Sequence, residues 1–429
     1  MTLKKRIAIT VAGLMTSERL AARRRRWHEL ARRLKRRPHV VHYFHEIQDP
    51  YSLLAALALP ALAARRGVVI EPHLVPPPPA WAAPERALLE AYGRRDAAAL
   101  AGHYGLAVPD LTAPLDPAAA AAGNIGLATA IAQGRFVENV AAITAAAWAG
   151  ETLGVVGGAD PAPLLVAGAK LRDELGHYLG ATFHYGGEWY WGIDRLHYLE
   201  SRLDQLDARG PGPSPHYPRP RLRLPETLRG RLAGRELELF FSFRSPYSYI
   251  VLPRAFALAD HYGARLRLRF VLPMVTRGLP VPLAKRLYIV RDTKREASSE
   301  GLPFGRIADP LGRPVERGLA VLAHALSLGD DKGRAFALSF LQGVFAEGID
   351  AGEDAGLRQL IERAGLDAGP AFTAVADPAW RATAEENRMA MVGEGLWGVP
   401  SLRFGTISTW GQDRLWLIED AMIKAAESA

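Results

Sequence analysis

The chain has 429 residues, about half of them apolar, with 53 Lys/Arg against 45 Asp/Glu and no cysteine. That length exceeds one ordinary domain, and the apolar share excludes global disorder. Without a thiol, a disulfide framework, a cysteine-based zinc site and thiol–disulfide exchange by the protein itself are excluded.

The net charge of +8 is concentrated at the start. Between Lys4 and Arg37 there are 13 Lys/Arg and two Glu, so the rest of the chain is slightly acidic. A basic face over the globular part, as specific nucleic-acid binding would need, is not expected. The uncharged run Ile7 to Ser17 resembles a short signal-peptide core. Glu18 and Arg23 to Arg26 follow it instead of a small-residue cleavage site, so a cytoplasmic protein is the expectation. Residues 1–38 read as a basic helical arm. Trp27, Leu30 and Leu34 recur at helical spacing among Arg23 to Arg26, Arg32, Arg33 and Lys35 to Arg37. The expectation is that this stripe docks on the protein's own first repeat with the arginines solvated. Attraction to an anionic membrane or nucleic acid is the alternative.

Beyond the arm the chain repeats itself. A shift of 196 positions lays His42 to Ser52 on Glu238 to Ser248, Tyr92 on Tyr288, Asp96 on Asp292 and Gly105-Leu106 on Gly301-Leu302. A shift of 219 then lays Trp191 to Leu196 on Trp410 to Leu415. The first repeat, 39–209, opens with a predicted strand (Val40 to Phe44), a helix (Leu53 to Ala64) and a strand (Val68 to Leu74). A proline-rich linker, 210–228, follows. The second repeat, 229–429, has a strand (Leu237 to Phe241), a helix (Ile250 to Tyr262) and a strand (Leu266 to Val271). Helical spacing continues over Arg317 to Ser327, Lys332 to Glu347, Ala355 to Ala364 and Trp380 to Gly393. A hairpin (Ser401 to Phe404, Thr406 to Thr409) and a helix from Gln412 close it. The order β-α-β, helices, β-β-α predicts an α/β protein of two tandem thioredoxin-like domains, each with a helical insertion.

The string Phe240 to Tyr249, with Ser245-Pro246 at the strand-to-helix turn, resembles 2-hydroxychromene-2-carboxylate isomerases. These group with the kappa-class glutathione transferases and the DsbA oxidoreductases. Gly398-Val399-Pro400-Ser401 resembles their cis-proline loop, and Trp410 to Leu415 their closing hairpin and helix. The resemblance covers about residues 236–427, and more weakly 39–205. It implies glutathione as the thiol source, contacted by Ser245, Val399, Pro400, Trp410, Gly411, Gln412 and Asp413. Ser245 would orient and stabilise the thiolate as the catalytic residue, Val399 would pair with the cysteinyl segment, and Gln412 with Asp413 would hold the γ-glutamyl end. A helix N-terminus favours that negative charge. Each residue also has a plainer role: Ser245 and Asp413 as helix caps, Pro400 in an ordinary tight turn. The implied substrate is an aromatic, acidic small molecule met by Lys285, Arg286 and Tyr288, which otherwise belong to a solvated helix. Gly278-Leu279-Pro280 departs from the Gly-Asn pair often found near here in those proteins. A non-catalytic binding protein is the alternative.

The first repeat reads as degraded. Asp49 stands at the position of Ser245, Ala181 at that of Pro400 and Ile193 at that of Gln412. No metal site is read from the twelve histidines. Along a strand His39 and His45 face away from His42, which leaves it no matched partner.

Overall fold

The computed structural model describes residues 3–151, 158–279 and 281–428. The chain divides into two compact units. The N-terminal unit holds Arg23–Arg219 with Pro282–Tyr288; the C-terminal unit holds Met1–Ala22, Pro220–Val281 and Ile289–Ala429.

In chain order, α1 (Leu3–Met15) and α2 (Glu18–Leu34) form the arm. They are followed by β1 (His39–His45), α3 (Pro50–Ala63) and β2 (Val68–Leu74). The insertion is α4 (Arg86–Tyr104), α5 (Pro117–Ala132), α6 (Phe136–Trp148) and α7 (Ala162–Glu174). The hairpin β3 (Thr182–Tyr185) and β4 (Glu188–Trp191) leads into α8 (Ile193–Asp204). The second series is β5 (Glu236–Phe241), α9 (Pro246–Tyr262), β6 (Arg265–Phe270) and α10 (Leu283–Ser299). Then come α11 (Arg313–Ser327), α12 (Asp330–Gln342), α13 (Asp354–Arg363), α14 (Ala368–Ala374) and α15 (Trp380–Gly393). The series closes with β7 (Ser401–Phe404), β8 (Ile407–Trp410) and α16 (Leu415–Glu427).

Each unit has one four-stranded sheet, ordered β2-β1-β3-β4 and β6-β5-β7-β8. In each, the first pair is parallel and the others antiparallel. β6 shows why its sequence makes a strand. Arg265, Arg267 and Arg269 alternate with Leu266, Leu268 and Phe270, and only the apolar set is buried. On the polar face Glu238 of β5 is 2% exposed between Arg269 and Arg403, which both donate to it. β5 itself is central and nearly all buried, as a strand covered on both faces requires.

The two units also repeat polar contacts. Tyr51 donates to Asp96 at 2.8 Å, and Tyr247 to Asp292 at 2.8 Å. Ser52 Oγ accepts from Glu46 N at 3.2 Å, and Ser248 Oγ from Ser242 N at 3.3 Å. Gly192 N donates to the Ala181 carbonyl and Gly411 N to the Pro400 carbonyl, both at 2.8 Å.

The arm differs from its sequence expectation. α1 packs within the C-terminal unit, where Ile9 is buried and Lys5 pairs with Asp350 at 2.7 Å. The stripe on α2 does not dock: Trp27, Leu30 and Leu34 are 61%, 47% and 75% exposed. The face that packs is polar. Arg25 grips the Glu188 carboxylate at 2.6 and 2.8 Å, and buried Glu29 accepts from Arg32 and Arg33. Those hydrogen bonds, Arg32 first, pull the Glu29 carboxyl down to about 2. The rim of a β-hairpin offers charge and backbone rather than an apolar groove, so α2 presents its polar face to it.

The proline-rich linker is held at both ends by carboxylates buried on the closing helices. Glu200 of α8 accepts from His216 N at 3.0 Å and pairs with the half-exposed His216 ring at 2.7 Å. Glu419 of α16, wholly buried, accepts from Arg223 N, Leu224 N and Tyr262 Oη between 2.7 and 3.2 Å. Glu419→Ala leaves these donors without their acceptor, and removing one partner of such a buried charged cluster costs roughly 3–5 kcal/mol. Urea unfolding of the C-terminal unit is therefore expected to shift by that amount in the variant, and Glu419→Gln by less.

Candidate functional site

Ser245 ends the loop after β5 and caps α9 in extended backbone (φ −95°, ψ 112°). Its Oγ accepts from Ser248 N at 3.2 Å and donates to the Val399 carbonyl at 3.3 Å. The second bond is long for O–H···O, whose usual value is about 2.7–2.8 Å. The hydroxyl proton is thus weakly engaged, at the positive end of a helix dipole. The Val399–Pro400 peptide is cis. Pro400 is buried and Val399 half-buried. The loop is held from below: Ser401 Oγ donates to the Gly398 carbonyl at 2.7 Å, and Gly411 N to Pro400 O. Gly398 is required there, because a Cβ would stand 2.5 Å from the Trp410 indole nitrogen. Trp410 in turn lies against Trp397, ring centres 4.5 Å apart.

Ser245, Val399 and Pro400 are therefore brought together, with Trp410 and Gly411 supporting the loop. Gln412 is placed differently from expectation. It is 1% exposed. Its Oε1 accepts from Arg254 at 2.5 Å, while its Nε2 donates to Glu296 at 2.8 Å and to Asp413. Arg254 also donates to its main-chain carbonyl at 2.8 Å. The 3-10 turn Gln412–Arg414 is thus tied to α9 and α10, and Asp413, half-buried, is the member of the pair facing outward. Sequence reading missed Arg254 and Glu296, which carry no motif and join only through the fold.

Of the expected substrate residues, Lys285, Arg286 and Tyr288 group with the N-terminal unit, whereas Ser245 belongs to the C-terminal unit. Tyr288 is buried with Phe44, Val75 and Trp189, and meets the His177 ring edge-on at 4.6 Å. Lys285 Nζ donates to the Ala82 carbonyl at 3.2 Å, and burial lowers its pKa. Arg286 is exposed. An aromatic ring on a helix start buries where aromatic partners are offered, and here Phe44, Trp189 and His177 of the same unit offer them. Of Gly278-Leu279-Pro280, the proline lies outside the described residues.

Asp49 caps α3 as Ser245 caps α9, in the same extended backbone (φ −90°, ψ 114°). It accepts from Tyr51 N at 3.0 Å and Ser52 Oγ at 3.3 Å. Ala181, at the position of Pro400, has φ 51°, a left-handed conformation uncommon outside glycine. Asp49 and Glu46 stand together in a cleft of about 60 Å³ lined also by Tyr51, Arg86, Gly180 and Trp191. Gly180 makes room for the pair, since a Cβ would lie 2.6 Å from Glu46 Cβ. Burial pushes the Asp49 carboxyl up to about 7, against the hydrogen bonds from Tyr51 and Ser52. Burial, then the Asp49 charge, raises Glu46 well above the carboxylate range.

Residues 236–422 match the sequence profile of the DSBA-like thioredoxin domain. Two curated 2-hydroxychromene-2-carboxylate isomerases are similar to this chain. That of Pseudomonas putida is 26% identical over 197 residues, covering 43% of this chain and 93% of the relative. That of Pseudomonas sp. (strain C18) is 23% identical over 194 residues, covering 43% and 89%. Among solved structures, a 2-hydroxychromene-2-carboxylate isomerase aligns over 45% of this chain and 97% of its own at 23% identity and a TM-score of 0.40. The cytosolic disulfide reductase DsbM of Pseudomonas aeruginosa, solved with GSH, covers 45% and 98% at 21% identity and a TM-score of 0.36. The C-terminal half of this chain is thus a DSBA-like thioredoxin domain.

The carboxyl pair predicts a pH signature. Asp49 binds its proton more tightly folded than unfolded, so its contribution is full below pH 4 and lost as pH rises through about 7. Buried His45 and His177, held down at about 3, act in the opposite sense. Comparison with Asp49→Asn isolates the carboxyl: the variant's Tm should exceed wild type by a margin that grows from pH 4.5 to 7.5. A margin independent of pH contradicts the shift.

Proposed function

We propose that the C-terminal unit is a DsbA-like isomerase that takes glutathione at the start of α9. We further propose that the chain is a tandem duplication whose first copy does not bind glutathione. The observation that carries the site is the meeting of a weakly engaged Ser245 hydroxyl with the Val399 carbonyl, 3.3 Å apart at a helix N-terminus. The similarity to the two Pseudomonas isomerases supports the reaction class. The repeated sheet order and the repeated Tyr–Asp and Ser–backbone contacts support the duplication.

The residues fit glutathione at its sulfur end. When bound, glutathione supplies the thiol that this chain does not have. Ser245 gives up its long bond to Val399 and donates to the sulfur, and the α9 dipole favours the thiolate. Together these lower a thiol pKa from about 8.5 towards neutrality. Val399 offers its carbonyl to the cysteinyl N–H, and Trp410 backs the loop. The γ-glutamyl ammonium falls to Asp413, since Gln412 is committed to Arg254 and Glu296. The substrate class is an aromatic acid with a conjugated double bond.

A non-catalytic peptide groove is the second reading, favoured by the burial of Gln412. Glutathione binding by calorimetry with no turnover of a hydroxychromene carboxylate would select it.

Ser245→Ala is the direct test. Loss of the cap costs only about 0.5–2 kcal/mol of stability. Thiolate absorbance of bound glutathione should titrate at least about one pH unit higher in the variant, and turnover should fall at least about tenfold. An unchanged titration in a folded variant rejects the role.

A further inference from the structure

On the sheet of the N-terminal unit, the register brings together histidines that lie far apart in sequence. β1 runs parallel to β2 with His42 beside Glu71 and Phe44 beside His73. β3 lies antiparallel on the other side of β1 with His184 beside His42. Residues directly across a sheet, and residues two apart along a strand, share a face. One face therefore carries His42, Glu71, His73 and His184.

Their ligand atoms are close. His42 Nδ1 lies 3.0 Å from His73 Nε2. Glu71 Oε2 lies 3.6 Å from His42 Nδ1, and its Oε1 lies 3.7 Å from His73 Nε2. One atom from each of the three residues falls within 4.8 Å of both others. A tetrahedral zinc ion bound at 2.0–2.1 Å separates its ligand atoms by about 3.3 Å. The observed spacings of 3.0, 3.6 and 3.7 Å bracket that edge, and rotation of the exposed Glu71 carboxylate would bring one of its oxygens to face both imidazoles. The set is partly open: Glu71 is 51% exposed at its side chain, His42 27% and His73 14%. The nearby His184 ring is centred 6.0 Å from that of His42, and its Nδ1 is shut from solvent without a hydrogen-bond partner among the described residues.

We propose that His42, Glu71 and His73 form a binding site for a divalent first-row cation of the zinc type, with a fourth position open on the side of His184. Two imidazoles and one carboxylate suit zinc; the absence of thiolates and of an oxygen cage disfavours a soft monovalent ion and magnesium. The site is independent of the glutathione reading, since it lies in the other unit and uses none of its residues. It also corrects the sequence expectation that His42 has no matched partner. The partners come from the neighbouring strand, two residues apart, rather than from His39 and His45.

Calorimetric titration of the EDTA-stripped, dialysed full chain with zinc chloride tests this. One equivalent should bind with a Kd of about 10 μM or tighter. His73→Gln and Glu71→Gln should each weaken it at least about tenfold. His103→Gln, an exposed histidine elsewhere in the unit, should leave it unchanged, and magnesium chloride should give no saturable heat. Circular dichroism checks that the variants are folded, and His42→Asn supplies a third ligand removal should one of them not be. Wild-type affinity in the folded ligand variants, equal loss in His103→Gln, or no zinc binding by wild type would each overturn the site.

Discussion

A helix cannot satisfy its own first backbone N–H groups, and in both units the central strand ends against that turn. The cap residue therefore decides what the turn can do. Ser245 satisfies one donor and remains neutral, so the dipole of α9 is left to act on a ligand. Asp49 fills the same place with a carboxyl that brings its own charge. Burial beside Glu46 then drives a proton onto that carboxyl at pH values where an exposed aspartate is ionised. Local backbone geometry is the same, yet one cap can stabilise an incoming anion and the other opposes it.

The polar contacts that repeat at fixed offsets have a common energetic character. The Tyr–Asp pair, the serine accepting from the end of the strand, and the buried glutamate on the closing helix each place a polar group where water cannot replace a lost partner. Replacing one member alone costs the desolvation of the other. Surface positions have no such constraint. Buried polar partners held in equivalent places are what the proposed duplication predicts.

Much of the architecture was legible in the sequence because strands and helices announce themselves by period. The alternation in Arg265 to Phe270 and the apolar run Leu53 to Leu62 place their elements within a few residues. The meeting of Ser245 with Val399-Pro400 was legible too, through motif spacing. What period cannot say is which surface covers a face. Trp27, Leu30 and Leu34 form an apolar stripe, but α2 packs by Arg25 and Glu29 because its neighbour is a charged hairpin. Tyr288 is buried among Phe44, Val75 and Trp189, partners far away in sequence that its helical period does not announce. The short α14 escaped notice because its start, Asp367 capping Gly369 N, precedes only two turns of helix. Gln412 matched a motif, yet Arg254 and Glu296 claim its side chain, and neither has a sequence signal.

The N-terminal unit is poorly described as a worn copy. A unit that had only to fold would gain stability by losing the Glu46–Asp49 pair, since two adjacent buried carboxyls repel and shed solvation. It would gain again by replacing histidines half-sunk into a sheet face with Thr or Val, which suit a strand better. Instead the cleft keeps both acids with a glycine cut to admit them, and the sheet keeps two histidines and a glutamate in contact. The histidines do pack, His73 stacking on Phe44 at 4.8 Å, but a Val or Thr there would pack without carrying a desolvated ring nitrogen. Where the C-terminal unit has Ser245 and a cis Val399–Pro400 peptide, this unit has Asp49 beside Glu46, and its sheet sets His42, Glu71 and His73 side by side in the same strand order.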